Sequence, residues 1–524
     1  MIALASPFSD SAVFQRRKMI PVWGYADADV QIQAEFAGHS AFIRSSQNGK
    51  FLLYLPPMEA GGPYELTVRN TDRNEQVTIR DVMVGEVWLA SGQSNMEYPL
   101  RGGWATSDNQ YKILPQHEEF LEELKKISAD DLRFLHVPQN ASGVREESFN
   151  AVWKKTTDKD ATNKFSAIAL WFALKLVQYE KVPVGIIGSY WGGTCINAWT
   201  SREMMLQDPV DSKEIQLLDT NYYNESNWNG SNNESLEELC RQYCHEDPGY
   251  SREILAQTVE TLDENWLPYV VPGYWTLRRI AGNGAVWISK KVQIPASWQN
   301  KNVELHIGGV DKHDISFFNG HEVGRTGSGF DCTVYEKNRC YQIPADLIKA
   351  GEENSVAIRA YSFIYGGGFN GNAENYYLSC GDERVELGSQ WYYRVEVDFG
   401  EVVIDRSHFY GRGNPNTPGI LFDGQIAPLI PYAIRGAIWY QGESDSDFNA
   451  APHYADQMQN MINDWRFRFG CGDFAFYQVQ LAGYTEIAPI MDKCGWAYLR
   501  ESQQIACDKM NGVGLISAID IGEE

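Results

Sequence analysis

Residues 81–97 read DVMVGEVWLASGQSNME, and this stretch decides the fold. The run DVMVGEVWLA is rich in Val, Met, Trp and Leu and shows no polar alternation. Such a run predicts a strand buried on both faces, as in a parallel sheet covered by helices. Gly92 then permits a tight turn, and Ser94 stands where strand passes into helix. Further along, FLEELKKI (120–127) is helical and LRFLHV (132–137) is strand-like. NKFSAIALWFALKLVQYEK (163–181) is a helix with an apolar face, and VPVGIIGS (182–189) is another buried strand. After a long interruption the alternation resumes with strand GAIWYQG (436–442) and helix HYADQMQNMINDWRFRFG (453–470), which closes on a C′ glycine, Gly470. FAFYQVQL (474–481), WAYLRESQQIACDKM (496–510) and VGLISAID (513–520) add strand, helix and strand. The economical reading is one α/β domain with a parallel sheet and right-handed crossovers, made of residues 81–205 plus 401–524.

The flanking regions read differently. Residues 1–80 carry QIQAEFAG, AFIRSS, FLLYLPP and YELTVRN between turn residues, which predicts an N-terminal β-sandwich. Residues 206–400 form an insert. It opens polar and Asn-rich, and from about Pro272 short strands return in AVWISKKVQIP, VELHIGGV, ISFFNGHEVGR and SVAIRAYSF, the pattern of a second β-sandwich.

The 524 residues carry a net charge of −24. Such a surface repels phosphate backbones and anionic lipid heads, which argues against nucleic-acid and peripheral-membrane partners. No apolar run approaches the roughly 18 residues of a membrane span. The sequence carries no signal for oligomeric state. Aromatic residues reach 13%, which suits both well-filled strand cores and the stacking of flat rings on sugars. The nine scattered cysteines do not form a disulfide framework; Cys240 and Cys244 lie four apart without a second pair at metal-ligand spacing. No signal peptide is visible at the N-terminus, so the expected compartment is cytoplasmic, or extracytoplasmic if a signal has been removed. Sequons at Asn140, Asn224, Asn229 and Asn233 say little without such a signal.

Ligands of a doubly wound sheet bind outside the carboxyl ends of its strands. That rule selects Ser91-Gly92-Gln93-Ser94-Asn95-Met96, Ser189-Tyr190-Trp191-Gly192-Gly193-Thr194, Gln441-Gly442-Glu443-Ser444-Asp445 and Asp520-Ile521-Gly522-Glu523-Glu524. Ser94 can project its hydroxyl into a cleft as a nucleophile, with neighbouring N–H groups aimed at a developing oxyanion; it also reads as a helix N-cap. The segment is not G-x-S-x-G, since position 96 is Met. The Trp191-Gly192-Gly193 turn allows close backbone approach and a further oxyanion donor, or is a plain left-handed turn. The Gln441 amide offers another donor, and Glu443 orients neighbours or binds a sugar hydroxyl; both also read as a polar loop. All these segments fall on one edge of one sheet.

VGEVWLASGQSNME, GIIGSYWGGTCINAW and APLIPYAIRGAIWYQGESD resemble the signature blocks of sialate O-acetylesterases, within the SGNH hydrolase superfamily. PFSDSAVFQRRKMIPVWGYA and PPMEAGGPYELTV resemble that family's N-terminal β-domain. GGVDKHDISFFNGHEVGRT, with GGGFNG further on, resembles the sugar-binding β-sandwich of family 2 glycosidases. The resemblance implies an SGNH-type three-layer α/β/α domain with a parallel sheet, an N-terminal β-sandwich and an inserted galactose-binding-like β-sandwich. It implies a serine esterase that removes O-acetyl groups from sialic acid through an acetyl-enzyme, with Ser94 as nucleophile, Gly192 or Gly193 as the block II glycine and Gln441 in the block III region. Gln93, Asn95, Trp191 and Glu443 are then the candidates for contact with an O-acetylated carbohydrate substrate. No cofactor and no metal is expected: the mechanism needs none, and GGGFNG lacks the Lys-Ser/Thr of a phosphate loop.

The chain departs from the superfamily in one respect. The superfamily's Asp and His follow the last strand, where this sequence reads Asp520-Ile521-Gly522-Glu523-Glu524. None of the nine histidines fits that place: His313 lies in the insert, His408 is near the α/β domain, and His453 starts a helix. The expectation is a chain truncated before its base, or a naturally incomplete form, with little esterase activity of its own. An acetyl xylan or other plant-glycan esterase keeps the same fold with a neutral substrate, and a non-catalytic carbohydrate-binding protein is the reading from another class.

Overall fold

The computed structural model describes residues 2–102, 115–221, 235–249, 265–276, 278, 280–400, 402, 404, 410–411, 413–447, 450–484 and 494–519. His408, Asp520 to Glu524 and the sequons at Asn224, Asn229 and Asn233 lie outside them. The chain divides into two compact units, residues 1–230, 409–484 and 488–524 in one, and residues 231–408 and 485–487 in the other.

The first unit is built on β1 (Glu75–Gly92), an 18-residue strand. From Val82 to Gly92 every residue is buried, as its unbroken apolar run demands. The strand begins earlier than the sequence predicts: Asp81 takes a positive φ of 58° within an irregularity of the ladder, and pairing resumes on its far side from Ile79 back to Glu75. Its first half pairs antiparallel with Gly61–Asn70 and its second half joins a parallel sheet. The Asp81 carboxylate at the junction pairs with Arg133 at 2.9 Å and Lys155 at 2.8 Å. In the N-terminal strands the period of two is clear. Ile32, Ala34 and Phe36 of Gln31–Phe36, and Phe51, Leu53 and Leu55 of Lys50–Leu55, turn inward while their neighbours face outward.

The parallel sheet adds β2 (Leu132–His136), β3 (Val184–Tyr190), β4 (Gly436–Tyr440), β5 (Ala475–Gln480) and β6 (Val513–Ser517), in the order β2-β3-β1-β4-β5-β6. Four of the unit's helices matter for the site: α1 (Ser94–Glu97), α2 (Ala167–Glu180), α3 (Tyr454–Phe469) and α4 (Gly495–Lys509). Ser166 caps α2 by accepting the N–H of Ala169, and Gly470 ends α3 in the left-handed conformation (φ 63°). Phe172 of α2 packs edge-on against Trp88, and Trp465 of α3 against Trp439. Trp439 is registered with Ser91, three residues from Trp88, so the two helices cover opposite faces of the sheet. The strand after β1 lies on one side of it and the strand after β4 on the other, which places a topological switch between their carboxyl ends. Among the described residues no helix is long and apolar enough to cross a membrane.

The second unit holds a six-stranded antiparallel sheet with Asn283–Gln293, Glu353–Ser362 and His313–Phe318 at its centre, and a four-stranded one formed by Arg339–Ile343, Val303–Ile307, Tyr377–Cys380 and Glu383–Glu386. Val286, Ile288 and Ile358 from the first sheet share one core with Leu305, Ile307 and Leu378 from the other.

Candidate active site

Gly92 ends β1 with φ 138°. A Cβ at this position would lie 2.1 Å from the carbonyl oxygen of Tyr440, so only glycine lets the ends of β1 and β4 close together here. The Gln93 N–H donates to the Tyr440 carbonyl at 2.9 Å and the Trp191 N–H to the Gly92 carbonyl at 3.0 Å. These bonds gather the ends of β3, β1 and β4 around Ser94, the first residue of α1. Ser94 is half-buried and Asn95 exposed. Gly192 lies against the serine: a Cβ built on it would be 3.5 Å from both Cα and Cβ of Ser94. Gly193 follows with φ 75°.

Two residues that the sequence reading passed over hold this turn. The Gly192 N–H donates to Glu97 Oε2, and Glu97 Oε1 accepts from Gln139 Nε2 at 2.9 Å. Glu97 is three residues after Ser94 on α1, a spacing that puts both on one face and was the available signal. Asn416 donates from Nδ2 to the Gly193 carbonyl at 3.0 Å and accepts the Cys195 N–H at 2.8 Å. It lies 223 residues from Gly193 in sequence, and no local pattern announces it. His136 ends β2 at the same edge, its ring stacked on Tyr190 with centroids 5.1 Å apart.

The hydrogen bonds give Gln441 a different place from the expected one. Its side chain is fully buried. Nε2 donates to the Thr194 carbonyl at 2.9 Å and to Asp445 Oδ2, while Oε1 accepts from the Tyr454 hydroxyl at 2.7 Å. Both amide hydrogens are taken, so Gln441 braces the loop after β3 against the loop after β4 instead of donating to an oxyanion. Gln93 does similar work, since its buried Oε1 accepts the N–H groups of Gly442 and Ser444 at 3.2 and 3.3 Å. Trp191 is half-buried, and its carbonyl accepts from Thr194 Oγ1 at 2.7 Å.

Glu443 is the least settled group of the edge. Its Oε1 accepts from Asn95 Nδ2 at 2.6 Å, while Oε2 is buried and finds no hydrogen-bond partner among the described residues. Burial raises this carboxyl above the usual carboxylate range, with Asp445 adding to the rise and Asn95 opposing it. A buried acceptor without a donor is costly, so a hydroxyl arriving here gains that missing bond.

The histidines weighed in the sequence have other surroundings. His453 is exposed at the N-cap of α3 and makes no capping hydrogen bond through its side chain. His313 lies in the second unit, where its Nε2–H donates to the Asp331 carbonyl at 3.1 Å.

Beyond the loop after β3, Asn197 Nδ2 and Gln457 Nε2 both donate to Asp211 Oδ1, at 3.2 and 3.0 Å. Burial pushes the Asp211 carboxyl up to about 6. The native state therefore holds a proton that the unfolded chain releases near its ordinary value, and stability falls as pH rises between the two. Relative to Asp211→Asn, the wild type is expected to lose roughly 2–3 kcal/mol between about pH 4 and pH 7. Urea unfolding of both proteins across that range checks this; a pH-independent difference would show that Asp211 ionises normally.

Residues 425–524 match the family model described as carbohydrate esterase, sialic acid-specific acetylesterase. The chain is 31% identical to the sialate O-acetylesterase of Homo sapiens over 195 residues, which cover 34% of this chain and 35% of that protein. It is 26% identical to the Rattus norvegicus sialate O-acetylesterase over 200 residues, 35% of this chain and 34% of that protein. The matches thus span about a third of the length of these curated relatives. Among solved structures, a carbohydrate acetylesterase from Xanthomonas citri superposes with a TM-score of 0.53 at 20% identity, covering 100% of this chain and 70% of that one. The α/β fold is thus one that a carbohydrate esterase uses. The family this chain resembles is that of the sialate O-acetylesterases.

Proposed function

We propose that this protein is a carbohydrate O-acetylesterase in which Ser94 attacks the acetyl carbonyl. The observation that carries the reading is the contact of Ser94 with the Gly192 turn at the switch point of the parallel sheet. The Ser94 oxygen adds to the carbonyl carbon and the tetrahedral oxyanion turns toward the backbone N–H groups of the Gly192–Gly193 turn. The bond from the carbonyl carbon to the sugar oxygen then breaks, the proton given up by the Ser94 hydroxyl passes through the acid–base pair to that oxygen, and water hydrolyses the acetyl-enzyme, returning acetate and the free serine. Glu97 holds the Gly192 N–H in the present arrangement, so it must yield that donor as the oxyanion forms. Gln441 and Gln93 brace the loops, and Glu443, Asn95 and Trp191 receive the sugar. The resemblance places the acid–base pair after the last strand, outside the described residues.

On this reading residues 81–205 and 401–524 form the SGNH-type α/β/α domain, residues 1–80 an N-terminal β-sandwich, and residues 206–400 an insert with a galactose-binding-like sandwich. The substrate is O-acetylated sialic acid, by the description of the family matched at residues 425–524. A neutral acetylated glycan is the second reading, favoured by the carboxyl groups of Glu97, Glu443 and Asp445 around the Ser94 edge, which repel an anionic sugar. Relative turnover of 9-O-acetylated sialic acid and acetylated xylo-oligosaccharide separates the two; a kcat/KM higher for the xylo-oligosaccharide overturns the sialate reading.

Gly192→Ala tests the turn itself. The added Cβ would stand 3.1 Å from Glu97 Oε2 and 3.5 Å from Ser94 Cβ. The expected result is a loss of about 10- to 100-fold in kcat with an unchanged melting temperature. Full activity in this variant would place the acyl group elsewhere.

A further inference from the structure

We propose that Glu304, His306 and Cys340, on the four-stranded sheet of the second unit, form a binding site for a divalent transition-metal ion of the zinc class. Glu304 and His306 are two apart on Val303–Ile307 and so share a face. His306 is registered directly opposite Cys340 on the neighbouring antiparallel strand, which brings the thiol to the same face. His306 Nε2 lies 3.2 Å from Glu304 Oε2 and 3.9 Å from Cys340 Sγ, and the three ligand atoms all lie within 4.8 Å of one another.

These separations are close to what a tetrahedral ion needs. Bonds of about 2.1 Å to nitrogen and oxygen and about 2.3 Å to sulfur imply ligand–ligand edges of roughly 3.4 Å for N–O and 3.6 Å for N–S. The two edges from His306 close with shifts of a few tenths of an ångström, and the Glu304–Cys340 edge, which lies within 4.8 Å, closes by at most about 1 Å. The mixed N, O and S set selects a borderline-soft ion over Mg²⁺ or Ca²⁺, which take oxygen ligands.

The surrounding groups fix the ligands in place. Gln342 Nε2 donates to the other Glu304 oxygen at 2.7 Å. The His306 ring lies flat on Tyr377, centroids 4.2 Å apart and planes 7° from parallel. Such outer contacts orient ligands before the ion arrives. Cys340 is exposed, so water completes the fourth position. Binding requires His306 to carry its proton on Nδ1 and Cys340 to release its thiol proton to solvent, so affinity rises with pH. The spacing Glu-x-His with a cysteine thirty-four positions on carries no metal signature in the sequence; only the strand register assembles it.

The test is titration of the whole protein, stripped with chelator, by Co²⁺ and then Zn²⁺. One equivalent of Co²⁺ is expected to bind with a thiolate-to-cobalt charge-transfer band that Zn²⁺ displaces. Cys340→Ser is expected to abolish the band, His306→Ala to weaken binding at least 100-fold, and Gln342→Ala to weaken it about tenfold. Cys332→Ser, which removes a thiol elsewhere in the same unit, should leave the band intact. Melting curves in chelator confirm that each variant is folded. No stoichiometric Co²⁺ binding by the wild type, or a band that survives Cys340→Ser, overturns the proposal.

Discussion

In protein that carries the acid–base pair, replacing Ser94 by alanine is expected to lower kcat for acetyl-ester hydrolysis by about 10,000-fold. Among the described residues the Ser94 hydroxyl makes no hydrogen bond that holds the scaffold. Ser94 is half-buried and is the first residue of α1, while its neighbours' backbone groups are already paired through Gln93 and Trp191. The variant should therefore melt with the wild type. The loss should fall on kcat, with KM little changed, because the sugar contacts assigned to Asn95, Trp191 and Glu443 remain. Hydrolysis of p-nitrophenyl acetate, read beside a melting curve, checks both halves. If Ser94→Ala retains wild-type turnover, another residue is the nucleophile and the site has been misplaced.

The second large effect is expected at Gly92. Alanine there meets two independent costs. The φ of 138° is a conformation that L side chains rarely adopt, worth about 1–3 kcal/mol. The added Cβ also falls 2.1 Å from the Tyr440 carbonyl, a backbone atom that moves only if β4 moves. Together they should destabilise the protein by at least about 3 kcal/mol and, by parting β1 from β4, remove activity as well. Gly470→Ala is the control. Gly470 also has a positive φ, 63°, but a Cβ there meets nothing within 4 Å, so its cost should stay near 1 kcal/mol. Denaturant unfolding of the two variants separates conformation from collision; equal losses would mean that the junction relaxes freely.

What the sequence made legible is what local chemistry decides. Val82–Gly92, Val184–Tyr190 and Gly436–Tyr440 read as buried strands because their side chains are apolar without alternation, and they stand side by side in the sheet. The end of α3 was written in Gly470. The start of β1 was not legible, because the ladder is interrupted by a bulge at Arg80–Asp81 and then resumes to Glu75, and resumption past a bulge depends on the partner strand Gly61–Asn70, not on the local pattern. The roles of Gln441 and Gln93 were not legible either. An amide at a strand end can face a ligand or brace a loop, and the choice rests on carbonyl and N–H groups brought from distant segments, Thr194 for Gln441 and Gly442 with Ser444 for Gln93. Asn416 and the pairing of His306 with Cys340 belong to the same class, set by register between strands or loops far apart in sequence.

The most direct test of the central claim is covalent. Reaction of esterase-active protein with a fluorophosphonate, followed by peptide mass spectrometry, should place the label on Ser94 and nowhere else, and an acetylated sugar should slow the labelling. Inactivation with the label on another residue, while Ser94 stays free, would contradict the account.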